Sequence, residues 1–194
     1  MSFSIQHMKE VSKIAETIDT RKIDEMIELL AQVKENGGRL FILGIGGSAG
    51  NASHAVNDFR KLTGIEAYAP TDNVSELTAR ANDEGFDTVF TGYLQISNVN
   101  SKDCLLILSV GGGDRERGIS ANLCSAIDYA KSKNVTVIGI VGREGGYTQK
   151  LARVCLVIPP VNPSAITPHS EAFQAIVWHL MVSHPRLKTN ATKW

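Results

Sequence analysis

The chain has 194 residues, of which 43% are apolar and 21% are charged, and its formal net charge is zero. This composition is typical of a globular protein that is long enough to bury a core. The balanced charge provides no electrostatic footprint for nucleic acid or for an acidic membrane surface. No apolar run approaches the roughly 20 residues of a membrane span, and the N-terminus lacks the pattern of a secretory signal. We therefore expect a cytoplasmic protein that binds neither nucleic acid nor membranes.

Three cysteines, Cys104, Cys124 and Cys155, lie within apolar or helical patterns. Their number is odd and none has the CxxC spacing of thiolate zinc sites and redox pairs. The sequence therefore predicts reduced thiols in a protein core.

Hydrophobic periodicity predicts two helices in residues 4–36, the first of which could pack on a partner subunit. Strands and helices alternate after that. Strands are predicted at 39–43, 67–69, 105–110, 136–141 and 154–158, and helices at 50–61, 74–81, 88–96, 120–133, 148–151 and 168–182.

The predicted strands are continuous apolar runs, which indicates that both faces of the sheet are buried. Alternation with helices then predicts an α/β fold, a three-layer αβα sandwich with a parallel, five-stranded sheet. We expect one domain over 1–194, with N-terminal helices in 1–36 and the α/β core in 39–184. Ligands of such sheets bind beyond the carboxyl ends of the strands. The loops 44–48, 109–113 and 142–146 all fall there.

The first of these loops is a glycine turn, with Gly44, Gly46 and Gly47 followed by Ser48. A strand, a tight turn and a helix N-terminus present free N–H groups and the positive end of the helix dipole to an anion. The spacing departs from the GxGxxG dinucleotide fingerprint. A sugar phosphate or another small anion is the favoured ligand, and a plain strand–helix turn is the structural alternative.

The second loop runs from Ser109 to Ser120 and contains three successive glycines, including Gly111, that can form a nest of backbone N–H groups. Arg115 and Arg117 add guanidinium groups suited to phosphate. The alternative is a solvated surface loop. Ser120 is predicted to be the N-cap of the following helix on structural grounds alone.

Four side chains form a candidate metal or proton-transfer set. His54 and Asp58 lie one helical turn apart, and Glu171 and His179 can share a broad face of the last helix. Nitrogen and oxygen ligands of this kind suit a divalent metal, with zinc plausible. Without a metal, the same groups could serve as general base and acid. Taken by themselves, His54 and Asp58 would more simply lie on a solvated face of their helix.

The remaining histidines fit neither role: His169 and His184 are predicted at the surface or at helix ends, and His7 is predicted to be structural. The segment 82–86 reads as a capped turn. Its Asn82 and Asp83 could hold sugar hydroxyls.

Taken together, these motifs resemble the sugar isomerase (SIS) domain and, within it, the phosphoheptose isomerases, over almost the whole chain. The family's Gly-Asn-Gly-Gly-Ser turn and Ala-x-His-x-x-x-Glu are similar to 44–48 and 52–58. Its Asn-Asp-x-Gly-Phe matches 82–86. Its Ser-Thr-Ser-Gly-Asn-Ser-x-Asn loop looks like 109–111 and, after an insertion, 120–122. Its closing Gln and His, eight residues apart, are similar to Glu171 and His179.

The resemblance implies a homotetramer with sites at subunit interfaces and a sugar-phosphate substrate. It implies an aldose–ketose isomerase that converts sedoheptulose 7-phosphate to glycero-manno-heptose 7-phosphate through an enediol. His54, Asp58, Glu171 and His179 then occupy the metal positions, and Asp58 and His179 are the proton-transfer pair. Substrate would be bound by residues of the two glycine loops, by the turn after the predicted helix 74–81 and by the last helix. They are Gly46, Gly47, Ser48, Ser109, Gly111, Arg115, Arg117, Ser120, Asn82, Asp83 and Glu171.

Several departures from the family pattern bear on the substrate. Ile45 stands where the family has Asn, Asp58 replaces Glu, and Glu171 replaces Gln. Val110 and Gly111 replace hydroxyl residues, while Arg115 and Arg117 are gained. These changes leave a second function open, a non-catalytic module that binds a phosphosugar or a protein partner. A dinucleotide-binding enzyme is a third, more distant reading.

Overall fold

A computed structural model describes residues 1–192 as an α/β fold around a five-stranded sheet. All strand pairs are parallel, and the strand order is β2-β1-β3-β4-β5. The fold class predicted from the sequence is thereby confirmed. The strands are β1 Arg39–Leu43, β2 Glu66–Tyr68, β3 Cys104–Ser109, β4 Thr136–Val141 and β5 Val154–Val157.

The helices lie close to their predicted positions, with one difference that affects the site. The third helix was expected at 50–61, but it begins at Gly47, and its end is a π-helix, Phe59–Thr63. The α-helices are α1 Phe3–Thr17, α2 Thr20–Glu35, α3 Gly47–Asp58, α4 Val74–Asp83, α5 Val89–Ile96, α6 Ala121–Ser132, α7 Gly146–Leu151 and α8 Ile166–Ser183.

Apolar side chains cover the sheet on both faces, because successive residues of a strand point to opposite sides. Leu40 and Ile42 of β1 pack in a cluster with α2, α3 and α8. Phe41 and Leu43 pack on the other face with α5 and α6. This arrangement is the expected three-layer sandwich.

A buried ion pair joins the beginnings of β1 and β3. Asp103, which is 1% exposed, accepts hydrogen bonds from the backbone N–H of Arg39 at 2.9 Å and from its Nη2 at 2.8 Å. It also accepts one from the backbone N–H of Asn100 at 3.0 Å. The hydrogen bond to Asp103 raises the pKa of Arg39, so the guanidinium stays charged.

The C-terminal segment is bound to the π-helix that follows α3. The carbonyl of Leu62 accepts hydrogen bonds from the backbone N–H groups of Thr189 at 2.9 Å and Asn190 at 3.1 Å. The side chain of Asn190 donates to the carbonyl of Lys61 at 2.8 Å. These bonds satisfy backbone groups immediately after Asp58, the last residue of α3.

Cys104, Cys124 and Cys155 are free thiols and all are buried, as the sequence predicts. Burial raises their pKa, that of Cys155 to about 12, which disfavours the reactive thiolate. Within residues 1–192, no helix combines the length and the apolar character needed to cross a bilayer.

Candidate active site

The helices α3 and α8 pack side by side, and we call the boundary between them the α3–α8 seam. Asn51 links the two helices, because its Nδ2 donates to the backbone carbonyl of Glu171 at 2.9 Å and to Oε1 of Gln174 at 3.0 Å. Several of the residues singled out in the sequence lie along this seam.

At one end of the seam, Asp58 lies between two imidazoles. Its Oδ2 is 3.8 Å from Nε2 of His54 and 3.7 Å from Nε2 of His179. Its Oδ1 accepts a hydrogen bond from Asn57 Nδ2 at 2.8 Å. The carboxylate is only 3% exposed, while both histidines are about half exposed. We call His54, Asp58 and His179 the His–Asp cluster.

The carbonyl of Ala175, one turn earlier in α8, sets the tautomer of His179. Its Nδ1 lies 2.8 Å from the carbonyl oxygen of Ala175, which can only accept, so Nδ1 carries the hydrogen. The lone pair is therefore on Nε2, the nitrogen that faces Asp58. Trp178 stacks on the ring at a centroid distance of 3.5 Å and restricts its orientation. Metal-binding histidines use the same device, in which the second ring nitrogen donates to a carbonyl.

The His–Asp cluster fits a divalent metal. One ligand atom from each of its three residues lies within 4.8 Å of the others. Around a tetrahedral zinc, N and O ligand atoms lie about 3.4 Å apart, as bond lengths near 2.1 Å require. Small side-chain rotations of the half-exposed histidines would close that difference. Two imidazoles and a carboxylate are a donor set that suits zinc and its neighbours.

Glu171 lies outside this group, about two helical turns from His179. Its carboxylate rests against Gly47, where any side chain would collide with it. The positive end of α3 therefore faces a carboxylate of the chain itself. The metal-ligand and substrate-binding roles of Glu171 remain predictions.

The glycine turn has the predicted geometry of a strand, a tight turn and a helix N-terminus. Gly46 has a φ of +61° and precedes the first residue of α3, Gly47. A side chain at Gly44 would collide with the backbone of Ser48. The turn is therefore closed tightly, and Ser48 is held where the seam meets the carboxyl ends of the strands.

A cavity of about 300 Å³, here called the loop cavity, lies beside this turn. Its polar lining comes from three loops and the start of α8, namely Ser48, Ser109, Ser120, Arg143 and Thr167. Three of these residues were predicted to bind substrate, and so was Gly111, which also lines the cavity. Hydroxyl groups and one guanidinium around a small space form a suitable receptor for a phosphate.

Ser120 does not cap α6 in the way the sequence suggested. It occupies the N-cap position, but its backbone is left-handed, with a φ of +50°, and its side chain makes no capping hydrogen bond. Its hydroxyl is therefore available to the loop cavity. Ser109 differs in this respect, because its Oγ already accepts a hydrogen bond from the backbone N–H of Gly112 at 3.0 Å.

The three arginines near the loop cavity are placed differently. Arg115 pairs with Asp128 and lies over the ring of Tyr147, 5.3 Å from its centroid. Arg117 is 3.5 Å from Asp114 and lines an adjoining cavity of about 570 Å³. Arg143 lines both cavities.

Arg143 was not singled out from the sequence. The available signal was its place in the loop 142–146, at the carboxyl edge of the sheet. The phosphate roles predicted for Arg115 and Arg117 stay predictions.

Asn82 and Asp83 lie at the end of α4, where both are exposed and Asn82 Nδ2 donates to Asp83 Oδ1 at 2.7 Å. They are not among the residues that line the loop cavity. Their contact with a sugar also remains a prediction.

The sequence predicts His169 at the surface or at a helix end, and only the second alternative holds. His169 lies near the start of α8, but it is not a surface residue, since it is only 3% exposed and hydrogen-bonded to Glu10. Its environment could not be read from the periodicity of α8 alone, because the covering residues come from α1.

Comparison with known proteins places this geometry in a family. The sequence model of the SIS domain matches residues 5–142. The phosphoheptose isomerase of Aliarcobacter butzleri is 30% identical over 160 residues, covering 80% of each chain. That of Rhodospirillum rubrum is 33% identical over 150 residues and 74% of its length. A lincomycin biosynthesis protein of Streptomyces lincolnensis is 34% identical, but the match spans only 59% of that longer protein.

A solved structure extends the comparison to the whole fold. The phosphoheptose isomerase from Neisseria gonorrhoeae superposes with a TM-score of 0.80 and 29% identity, over 92% of this chain and 94% of that one. The chain therefore belongs to the SIS domain family, and within that family it resembles the phosphoheptose isomerases.

Proposed function

We propose that this chain is a cytoplasmic aldose–ketose isomerase that acts on a sugar phosphate. Its substrate would be sedoheptulose 7-phosphate and its product D-glycero-D-manno-heptose 7-phosphate, a precursor of surface heptose. The names of the phosphoheptose isomerases compared above support the reaction class. The three buried free thiols agree with a reducing compartment.

One observation carries the proposal: the α3–α8 seam bears two different chemistries at two separate places. Ser48 and Thr167, at the beginnings of the two helices, line the loop cavity. The His–Asp cluster lies further along both helices. Ser48 and His54 are six residues apart on α3, which is a rise of about 9 Å. A sugar with its phosphate at one end and its carbonyl at the other can engage both.

The residues of the His–Asp cluster suit isomerisation through an enediol. In the metal-free site, Asp58 would carry the proton between C1 and C2, and His179 would accept and return the proton of the neighbouring oxygen through Nε2. With a divalent metal, zinc our choice, His54, Asp58 and His179 would hold the ion, which would take over from His179 by stabilising negative charge on that oxygen. Glu171 would become a fourth ligand only after its carboxylate moves away from Gly47.

The test is solvent exchange of the substrate. Sedoheptulose 7-phosphate is incubated with the enzyme in D₂O, with added zinc and separately with a chelator, and proton NMR follows C1 and C2. We expect deuterium incorporation together with appearance of the aldose. The absence of exchange under both conditions, from folded protein, would refute the isomerase.

Ile45 favours a second candidate function, a module that binds a phosphosugar without turning it over. It lines the loop cavity where the family has an asparagine, so one donor and one acceptor are missing there. Calorimetric binding of the sugar phosphate without any solvent exchange would establish this function in place of the first.

We also propose a homotetramer with the active sites at subunit interfaces. Ile176 and Leu180, on either side of His179 in α8, are 49% and 42% exposed. On α1, Phe3, Ile5 and Met8 are more exposed still. Apolar side chains of this size on two helices are typical of a surface that another subunit covers.

A further inference from the structure

A second group of nitrogen and oxygen ligands lies between α1 and the beginning of α8. It consists of His7, Glu10 and His169, whose ligand atoms lie within 4.8 Å of one another. His169 Nε2 is 2.8 Å from Glu10 Oε2, and the rings of His7 and His169 stack with centroids 4.5 Å apart. The group shares no residue with the His–Asp cluster.

The carboxylate of Glu10 is held in place by its own partners. Its Oε1 accepts hydrogen bonds from Gln6 Nε2 and from Asn162 Nδ2, each at 2.9 Å. Such outer partners are what orient a ligating carboxylate at a metal centre.

His169 supplies the independent observation. Only 3% of its surface is exposed, and its Nδ1 has no hydrogen-bond partner among the described residues. A buried polar atom without a partner is costly and calls for an explanation. Because no hydrogen bond at Nδ1 within residues 1–192 fixes the tautomer of His169, Nε2 can give up its hydrogen and bind an ion beside the Glu10 carboxylate.

We propose that His7, Glu10 and His169 bind a divalent transition metal of the zinc class at a site separate from the His–Asp cluster. Two imidazoles and one carboxylate are a ligand set that zinc uses. His7 is half-buried, so its ring can turn from the stacked position and the ion can enter from solvent.

The site would fasten α1 to the beginning of α8. His169 is two residues from Thr167, which lines the loop cavity. A metal at this position therefore has a structural role, since none of its ligands lines the loop cavity or belongs to the His–Asp cluster.

The experiment counts metal ions in protein without a polyhistidine tag. His54→Ala and His179→Ala together remove the imidazoles of the His–Asp cluster. This variant is saturated with Zn²⁺, gel-filtered and analysed by inductively coupled plasma mass spectrometry, and a Co²⁺-loaded sample is examined by visible absorption. We expect one ion per chain and the d–d bands of cobalt bound by nitrogen and oxygen.

Adding His7→Ala or Glu10→Gln to that variant should lower the metal affinity by about 100-fold or more, since loss of a direct ligand costs at least as much as loss of an outer-shell partner. His184→Ala is the matched control, because His184 is the one histidine outside both clusters, and it should change nothing. Circular dichroism verifies that each variant is folded.

The proposal is overturned if the folded His54→Ala/His179→Ala protein retains no ion, or if the retained ion persists after both further substitutions. Neither result bears on the solvent-exchange test of the isomerase. Conversely, a variant that keeps its ion beside an inactive wild-type enzyme would reject the proposed function and leave this site standing.

Discussion

Asp58 is the residue on which the proposed chemistry depends. Asp58→Asn should lower turnover by about 10²- to 10⁴-fold, the usual contribution of a positioned proton-transfer group. Taken singly, Asp58 was predicted to belong to a solvated helix face, but it is only 3% exposed. We expect the fold to survive the substitution because asparagine has the same shape and still accepts from Asn57.

Steady-state rates and thermal denaturation of this variant, beside the exposed Asp24→Asn as control, check the prediction. Full activity would remove Asp58 from the mechanism, and an unfolded protein would mean that its charge is needed structurally.

Arg143 is the guanidinium that we expect to contact the substrate phosphate. Arg143→Ala should raise KM for the phosphorylated sugar about tenfold to a hundredfold, since a hydrogen bond to a charged group contributes about 1.5–3 kcal/mol. Arg115→Ala and Arg117→Ala, which remove the two guanidinium groups that the sequence predicts to bind phosphate, should be measured in parallel. A larger increase in KM from either of those substitutions than from Arg143→Ala would place the phosphate site in the loop 109–120 instead.

At the scale of elements, the Arg39–Asp103 pair joins β1 to β3. Asp103→Ala should lower the free energy of unfolding by about 3–5 kcal/mol, because a partly buried guanidinium and two backbone N–H groups lose their acceptor. Urea denaturation measures this. Glu28→Ala is the control, since its pair with Arg186 is exposed and contributes about 0–1 kcal/mol. An equal loss of unfolding free energy in the two variants would show that the Arg39–Asp103 pair contributes no more than an exposed ion pair.

The order and type of the elements could be predicted from the sequence because each depends on local pattern. Continuous apolar runs and glycine turns gave the five parallel strands, the loop at Ser48 and the helical pairing of His54 with Asp58. The π-helix at Phe59–Thr63 was missed, since its extra residue leaves the hydrophobic pattern nearly unchanged.

Contacts between distant segments could not be predicted in this way. The burial of His169 depends on α1, more than 150 residues earlier. The placement of Arg143 depends on a positive φ that its residue type does not indicate. The sequence placed Glu171 on the same helix as His179, but its contact with Gly47 depends on how α3 packs on α8.

For the whole molecule, the exposed apolar side chains of α8 predict self-association. Leu180→Glu should reduce the molar mass measured by light scattering below that of the wild-type assembly, because a buried unpaired charge opposes association. Gln149→Glu adds the same charge on the exposed surface of α7 and should leave the mass unchanged. A wild-type protein that is monomeric at micromolar concentration would exclude the tetramer.

The attachment of Thr189 and Asn190 to Leu62 has a practical consequence for protein engineering. A chain shortened after Lys188 would lose four hydrogen bonds to the π-helix that directly follows Asp58. We expect faster amide hydrogen exchange in 59–63 and reduced turnover, with the sheet as stable as before. Exchange rates unchanged in that π-helix would show that the attachment is dispensable. Fusions and affinity tags are therefore better placed ahead of α1, because Thr189 and Asn190 hold the π-helix that follows Asp58.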